Sequence, residues 1–428
     1  MSETVTNAPT ARPVSKGQAG ADPTSIPLDA IDVSDAELFE TDTHWGYFER
    51  LRNEDPVHYC ARSDFGPYWS VTKYADIVTV EKNPEIYSSL RSIAVGDPDP
   101  SFPIDAGFIT MDGEKHIAQR KVVQPVAAPR NLVHLEPLIR ERAAEILDSV
   151  PVGETFDWVD RVSIELTTGM LATLFDFPYE DRRKLTFWSD MATATPAQTG
   201  SSDATEDERK VALMECLEAF TKLRNERTNR APNERLDLVT ALANGEATKD
   251  AEPLAYLGNL LLLIVGGNDT TRNSISGGVV ALNENPAEYQ KLRDNPDLIT
   301  NMVSEIIRWQ TPLPHMRRTA TQDTKLAGKD IAKGDKVVMW YVSANRDADV
   351  FDDPDAFLID RKNAKQHLSF GLGVHFCMGS RLAEMQLRVI WEETLARFRE
   401  VEVVGAPRRV RSNFVRGYSE LPVRVHPW

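Results

Sequence analysis

Ten residues constrain this chain more than any others. Positions 370 to 379 read Phe-Gly-Leu-Gly-Val-His-Phe-Cys-Met-Gly, and a helix-forming run, Ser380 to Arg397, follows at once. Three glycines let the backbone turn tightly around the Cys377 sulfur, and the helix start places free N–H groups beside it. Both effects favour a thiolate. An isolated Cys-x-Gly would mark a buried structural cysteine. Here six positions are fixed together, F-G-x-G-x-H-x-C-x-G, which chance produces less than about once in a million chains of this composition. Cys377 is therefore a candidate to carry chemistry and not only to fill a core.

The rest of the chain fits one globular body. Of its 428 residues 41% are hydrophobic and 27% charged, enough for a large core. No solenoid-type repeat and no Gly/Ser linker divides it. Met1 to about Pro27 is rich in Ser, Thr, Ala, Pro and Gly, so residues 1–30 are expected to be a disordered tail before a single domain over 31–428. The longest strongly apolar run, Leu260–Val265, is far below the ~20 residues that span a bilayer, so no stable membrane anchor is expected. Basic residues number 49 against 65 acidic ones, a net charge of −16, which opposes nucleic-acid binding. Cys60, Cys216 and Cys377 show no CxxC and no regular spacing, which fits a reducing cytoplasm better than a disulfide framework.

Helical periodicity dominates, over Lys115–Gln124, Leu132–Val150, Trp158–Leu174, Arg209–Asn229, Leu254–Leu282, Ala287–Asn295, Leu298–Gln310 and Met378–Phe398. Short strands are expected at Val57–Cys60, Tyr68–Thr72, Lys336–Val342 and Leu421–Val425. The fold class is mainly α with a minor β part. Thr193–Asp203 reads as a loop able to act as a lid, and the apolar residues of the 91–108 stretch as a pocket wall or a loop pinned to the core.

The cysteine loop resembles that of the cytochrome P-450 family of haem-thiolate monooxygenases. Three further segments match that family in order, from about residue 40 to the C-terminus. The first, Gly266-Gly267-Asn268-Asp269-Thr270-Thr271, lies inside the long apolar helix, where glycines and a hydroxyl weaken the backbone ladder. Alone it marks a kinked helix with a capping Asp. The resemblance implies that it crosses the distal face of the haem, with Thr270 hydrogen-bonding bound dioxygen and Asp269 relaying protons. The second, Glu305-Ile306-Ile307-Arg308, puts both charges on one helix face, and the resemblance joins the pair to Arg361 as a structural lock. The third is His116-Ile117-Ala118-Gln119-Arg120, with His and Arg one turn apart. Charge-assisted donors suit carboxylates, and the resemblance makes His116, Arg120, Arg318 and His375 ligands of the haem propionates, with Phe370 and Gly371 also against the cofactor. The residues before His116, Met111 to Lys115, lack the prolines common in relatives, which leaves that helix start open.

The cofactor implied is haem b, iron protoporphyrin IX, and a thiolate ligand favours O–O cleavage over oxygen carriage. With too few cysteines for an iron–sulfur cluster and no flavin domain evident, electrons are expected from NAD(P)H through a separate ferredoxin and ferredoxin reductase. Lys121, Arg381 and Arg388 could form a docking patch for an acidic ferredoxin, or be ordinary solvated charges. Ile93, Phe102, Leu262, Val265, Leu313 and Phe414 are candidate pocket residues. Gly-Gly-Asn-Asp-Thr-Thr-Arg-Asn together with Thr-Pro-Leu-Pro-His-Met-Arg-Arg-Thr-Ala resembles the bacterial branch that hydroxylates medium-chain alkanes and fatty acids at the terminal carbon. Hydroxylation of a terpenoid or steroid is the alternative within the family. A haem-based gas sensor or carrier, and a peroxygenase, are the rivals outside it; the Asp269-Thr270 pair argues against both.

Overall fold

The computed structural model describes residues 18–98, 107–194, 206–228 and 236–428. Its axis is a helix over Pro253–Glu284, 32 residues or about 48 Å long. From Thr271 to Leu282 every residue is buried, as expected of a helix wrapped on all sides. Two glycines permit the closest approaches. A Cβ on Gly277 would lie 2.2 Å from Gln310 Oε1, and one on Gly278 would lie 2.8 Å from Ile306, so the Ile299–Gln310 helix packs directly on the axis. That helix also touches the Ser380–Arg397 helix, which packs in turn on Pro129–Asp148. The main hydrophobic cluster joins these helices with Glu165–Phe175, Arg183–Thr193 and Glu206–Arg227.

The β part lies to one side. A five-stranded sheet runs in the order Val57–Cys60, Tyr68–Val71, Lys336–Trp340, His315–Ala320, Tyr87–Ser88. Its pairs are antiparallel except Tyr68–Val71 on Lys336–Trp340, where Trp69 faces Val337. A three-stranded sheet pairs Pro422–Pro427 with both Phe156–Asp157 and Phe398–Val403. The expected class, mainly helical with a small β part in one domain, is what the chain adopts.

Three local expectations need correction. The tail boundary falls earlier than residue 30: the Gln18 amide donates to Ala30 O at 3.0 Å, Tyr47 Oη donates to Gln18 O at 2.7 Å, and short 3-10 turns form at Pro23–Ser25 and Leu28–Ala30. These anchors use backbone carbonyls, which a polar composition does not reveal. The run expected as one helix from Trp158 opens with a wider π turn over Val159–Ile164 before the α-helix Glu165–Phe175. Helices at Trp45–Glu54, Tyr74–Glu81 and Arg183–Thr193 were not expected at all. The proposed lid, Thr193–Asp203, lies almost wholly outside the described residues.

Candidate active site

Cys377 sits between a glycine turn and the start of the Ser380–Arg397 helix. Gly371 and Gly373 have φ of +64° and +65°, in the left-handed region, and a Cβ on Gly373 would come within 2.6 Å of Glu81 O. Only glycine fits there. The Cys377 N–H closes the loop by donating to Phe370 O at 2.8 Å. Burial pushes the thiol up, while the N–H groups of Gly379 and Ser380 and the nearby Arg120 pull it down; the balance is upward. The sulfur keeps one side open.

That side is a cavity of about 730 Å³ lined by Cys377 and by His116, Arg120, Arg318, Phe370, Gly371 and His375. The helix carrying His116 and Arg120 runs over Gly113–Val123, so the missing prolines do not prevent its start; Asp112, before it, accepts from Ser89 N at 2.9 Å. The His116 and His375 rings lie 4.2 Å apart between centroids, tilted by 37°. Among the described residues neither ring nitrogen of His116 has a partner, nor does His375 Nδ1, whereas His375 Nε2 meets Ser89 Oγ at 2.9 Å. Burial lowers both imidazoles, and Arg318, His116 and Arg120 help press His375 to about 3. Arg120 donates to Phe376 O, and Arg318 donates to Glu81 Oε2 at 3.0 Å. Orphaned imidazole nitrogens, two guanidiniums and a cysteine sulfur, all lining one cavity, fit the propionates and the iron of a haem.

Glu81 is the residue that sequence reasoning missed here. It is buried, and besides Arg318 it accepts from Tyr341 Oη. Arg318 lies 237 positions away in the chain, so no local pattern pointed to it.

On the opposite wall Thr270 Oγ1 donates to Gly266 O at 2.9 Å, and Ser274 Oγ donates to Thr270 O at 2.8 Å. The helix continues through this point instead of breaking, so the expected notch is a pair of hydroxyl-shared carbonyls facing the cavity. A Cβ on Gly266 would meet nothing within 4 Å, whereas one on Gly267 would come 2.7 Å from Leu171 Cδ2. One glycine leaves space over the cavity; the other admits a neighbouring helix.

Asp269 points away from the cavity and is fully buried. Its carboxylate pairs with Arg272 at 2.6 Å and accepts from Ser189 Oγ at 3.0 Å, and Arg272 also reaches the half-exposed Asp190 at 3.0 Å. Burial pushes the carboxyl up to about 6, against the pull of Arg272. The group thus lies near neutrality and is linked to the surface through Asp190. Arg272 and Ser189 went unread in the sequence, although Arg272 is i+3 from Asp269 on one helix face.

Ile93, Leu262, Val265, Leu313 and Phe414 all line the cavity. Phe102 lies outside the described residues. Behind the cysteine loop, Glu305 pairs with Arg308 at 2.7 Å and Arg361 at 3.1 Å, all three buried. Of the three bases suggested as a patch, Lys121 and Arg381 are exposed, but Arg388 is engaged by Glu136 at 2.6 Å and Glu392 at 2.9 Å. It is not a free cation.

The geometry has a counterpart among known proteins. The family model of cytochrome P450 matches residues 66–414. This chain is a cytochrome P450. Linalool 8-monooxygenase of Pseudomonas putida is 37% identical over 421 residues, covering 94% of this chain and 100% of the relative. The methyl-branched lipid omega-hydroxylase of Mycobacterium tuberculosis is 30% identical over 94% of this chain and 96% of its own length. Among solved structures, cytochrome P450-153 from Novosphingobium aromaticivorans superposes with a TM-score of 0.85 at 45% identity, covering 92% of this P450 and 99% of that chain. The protein is accordingly a monooxygenase, an oxidoreductase of the haem-thiolate kind. No helix among the described residues is long and apolar enough to cross a membrane.

Proposed function

We propose that this P450 inserts one oxygen atom from O2 into a terminal C–H bond of a medium-chain alkane or fatty acid. The observation that carries the reading is one cavity in which Cys377 and Thr270 share space with an apolar wall of Ile93, Leu262, Val265, Leu313 and Phe414. Similarity to the methyl-branched lipid omega-hydroxylase and to cytochrome P450-153 supports it.

Cys377 would be the protein ligand of a haem b, whose propionates fall to His116, Arg120, Arg318 and His375 beside Phe370 and Gly371. The haem, when bound, supplies the oxygen activation that a thiolate ligand favours. The apolar wall binds the substrate chain, orients one C–H bond and excludes water. Thr270 offers a hydroxyl at the cavity wall as the last donor. Asp269, held by Arg272 beside the surface carboxylate Asp190, exchanges a proton through water to resupply that hydroxyl. Electrons come from NAD(P)H through a ferredoxin and its reductase, for which Lys121 and Arg381 remain available as docking charges.

The linalool relative favours a second reading, hydroxylation of a terpenoid. A screen of haem spin shifts with alkanes, fatty acids, terpenoids and steroids, followed by product analysis, separates the two. Terminal alcohols from alkanes or fatty acids are expected. Tight binding and regioselective turnover of a terpenoid, with poor binding of every linear chain, would replace the proposal. Carbon monoxide binding without turnover of any substrate would turn the assignment toward a gas sensor or carrier, and turnover with peroxide alone toward a peroxygenase.

A further inference from the structure

Arg209 is a buried charged residue of the cavity wall that the mechanism leaves without a task. It lies in the first turns of the Glu206–Arg227 helix and lines the same cavity as Cys377, with its side chain only 9% exposed. A guanidinium stays protonated, so its burial requires acceptors. Two other arginines of the cavity wall, half-buried Arg120 and buried Arg318, have them: Arg120 donates to Phe376 O and Arg318 to Glu81. Among the described residues Arg209 has one partner, Glu206, reached through Nε at 3.4 Å, a long contact to a carboxylate that is itself 36% exposed. The terminal Nη1 and Nη2 fork is left with no acceptor among those residues. One turn on, Leu213 lines the same cavity, as does Leu238. The result is a bidentate anion donor set into an apolar surface.

We propose that Arg209 anchors the carboxylate of an acid-terminated chain, holding that end at the Glu206–Arg227 helix while the far end reaches the Thr270 and Cys377 side of the cavity. The proposal rests on the terminal-oxidation reading and narrows it from alkanes to acids. Glu206 is the resident counter-ion that an incoming carboxylate must displace from Nε or tolerate beside it. Two substitutions should therefore act in opposite directions. Loss of a charge-assisted, desolvated contact weakens acid binding, and loss of the competing carboxylate strengthens it.

The experiment is a spin-shift titration of the haem-loaded enzyme with dodecanoate and with methyl dodecanoate, which differ only in the charge at one end. The wild type should bind the acid more tightly than the ester. In Arg209→Gln the acid-to-ester affinity ratio should fall by about ten- to a hundredfold. Arg209→Lys should keep part of it, and Glu206→Gln should raise it. A ratio that stays within about twofold of wild type in Arg209→Gln, or that falls in Glu206→Gln, overturns the anchor. The two readings fail separately. In-chain products from dodecanoate, with the Arg209 dependence intact, would sink terminal oxidation and keep the anchor. Terminal products from an enzyme whose ratio ignores Arg209 would sink the anchor alone.

Discussion

Glu305→Gln tests how the cysteine loop is held. The Glu305 carboxylate is fully buried and accepts from Arg308 Nε at 2.8 Å and Nη2 at 2.7 Å, from Arg361 Nε at 3.1 Å and from Leu358 N at 3.0 Å. One carboxylate thus serves two buried guanidiniums. In the Gln variant no negative charge is left between them, and the new amide N–H must face a donor. Removing one member of a buried ionic group costs about 3–5 kcal/mol, a large share of the ~5–15 kcal/mol that holds a typical domain. The damage should travel to the haem side. Arg308 Nη1 donates to Asn345 O at 2.7 Å, the Asn345 side chain accepts from Leu368 N at 2.7 Å and donates to Ser369 Oγ at 2.9 Å, and Phe370 O accepts from Cys377 N at 2.8 Å. Hydrogen bonding and the two arginines hold the Glu305 carboxyl below its usual range in spite of burial. Its contribution is therefore present above the unfolded value and lost as the pH falls through the lower folded one, so the deficit of the variant should shrink at acid pH. Urea unfolding at neutral and acid pH gives the energy, and the reduced carbon monoxide spectrum gives the fraction of haem still held by thiolate. A loss below about 1 kcal/mol, the value of an exposed pair, with an unchanged spectrum would refute the reasoning.

Thr270→Ala should leave haem binding intact but release peroxide in place of product, measured as peroxide formed per NAD(P)H consumed; tight coupling would remove Thr270 from proton delivery. For Asp269→Asn, coupled turnover should fall by about a hundredfold or more and lack the limb near pH 6 expected of wild type as the buried carboxyl titrates. Because that value is raised, the stabilising part of Asp269 is fully present at low pH and lost as pH rises through about 6, so the thermal midpoint of wild type should gain on the variant on acidification. Gly267→Ala should cost about 1–3 kcal/mol by pressing Leu171, whereas Gly266→Ala, whose Cβ meets open space, should spare stability and weaken the substrate-induced spin shift.

Long-period patterns were legible because they repeat over many turns: Leu254–Leu282 was expected where the helix Pro253–Glu284 stands, and Leu298–Gln310 where Ile299–Gln310 stands. The helices that escaped, Tyr74–Glu81 and Arg183–Thr193, are short and stabilised by tertiary packing more than by pattern. They carry Glu81 and Ser189, which is why these two polar partners of the site went unread. The propionate candidates were legible as residue types at helical spacing, but their unsatisfied nitrogens, which make the case for a carboxylate partner, exist only once His116 and His375 are buried against each other. Arg388 shows the opposite failure. Glu392 at i+4 was visible, yet the second acid, Glu136, comes from 252 positions away. Arg209 sat at the start of an expected helix with no sequence sign of its burial. Its isolation appears only when the cavity wall closes around it.

The central claim is that Cys377 is the thiolate ligand of the haem. Cys60 and Cys216 are buried elsewhere, with thiols pushed up by burial, and serve as internal controls. The most direct measurement is the reduced carbon monoxide spectrum of the wild type beside Cys60→Ser, Cys216→Ser and Cys377→Ser. The thiolate-shifted band should appear in the first three and vanish in Cys377→Ser. Its persistence in Cys377→Ser would contradict the account.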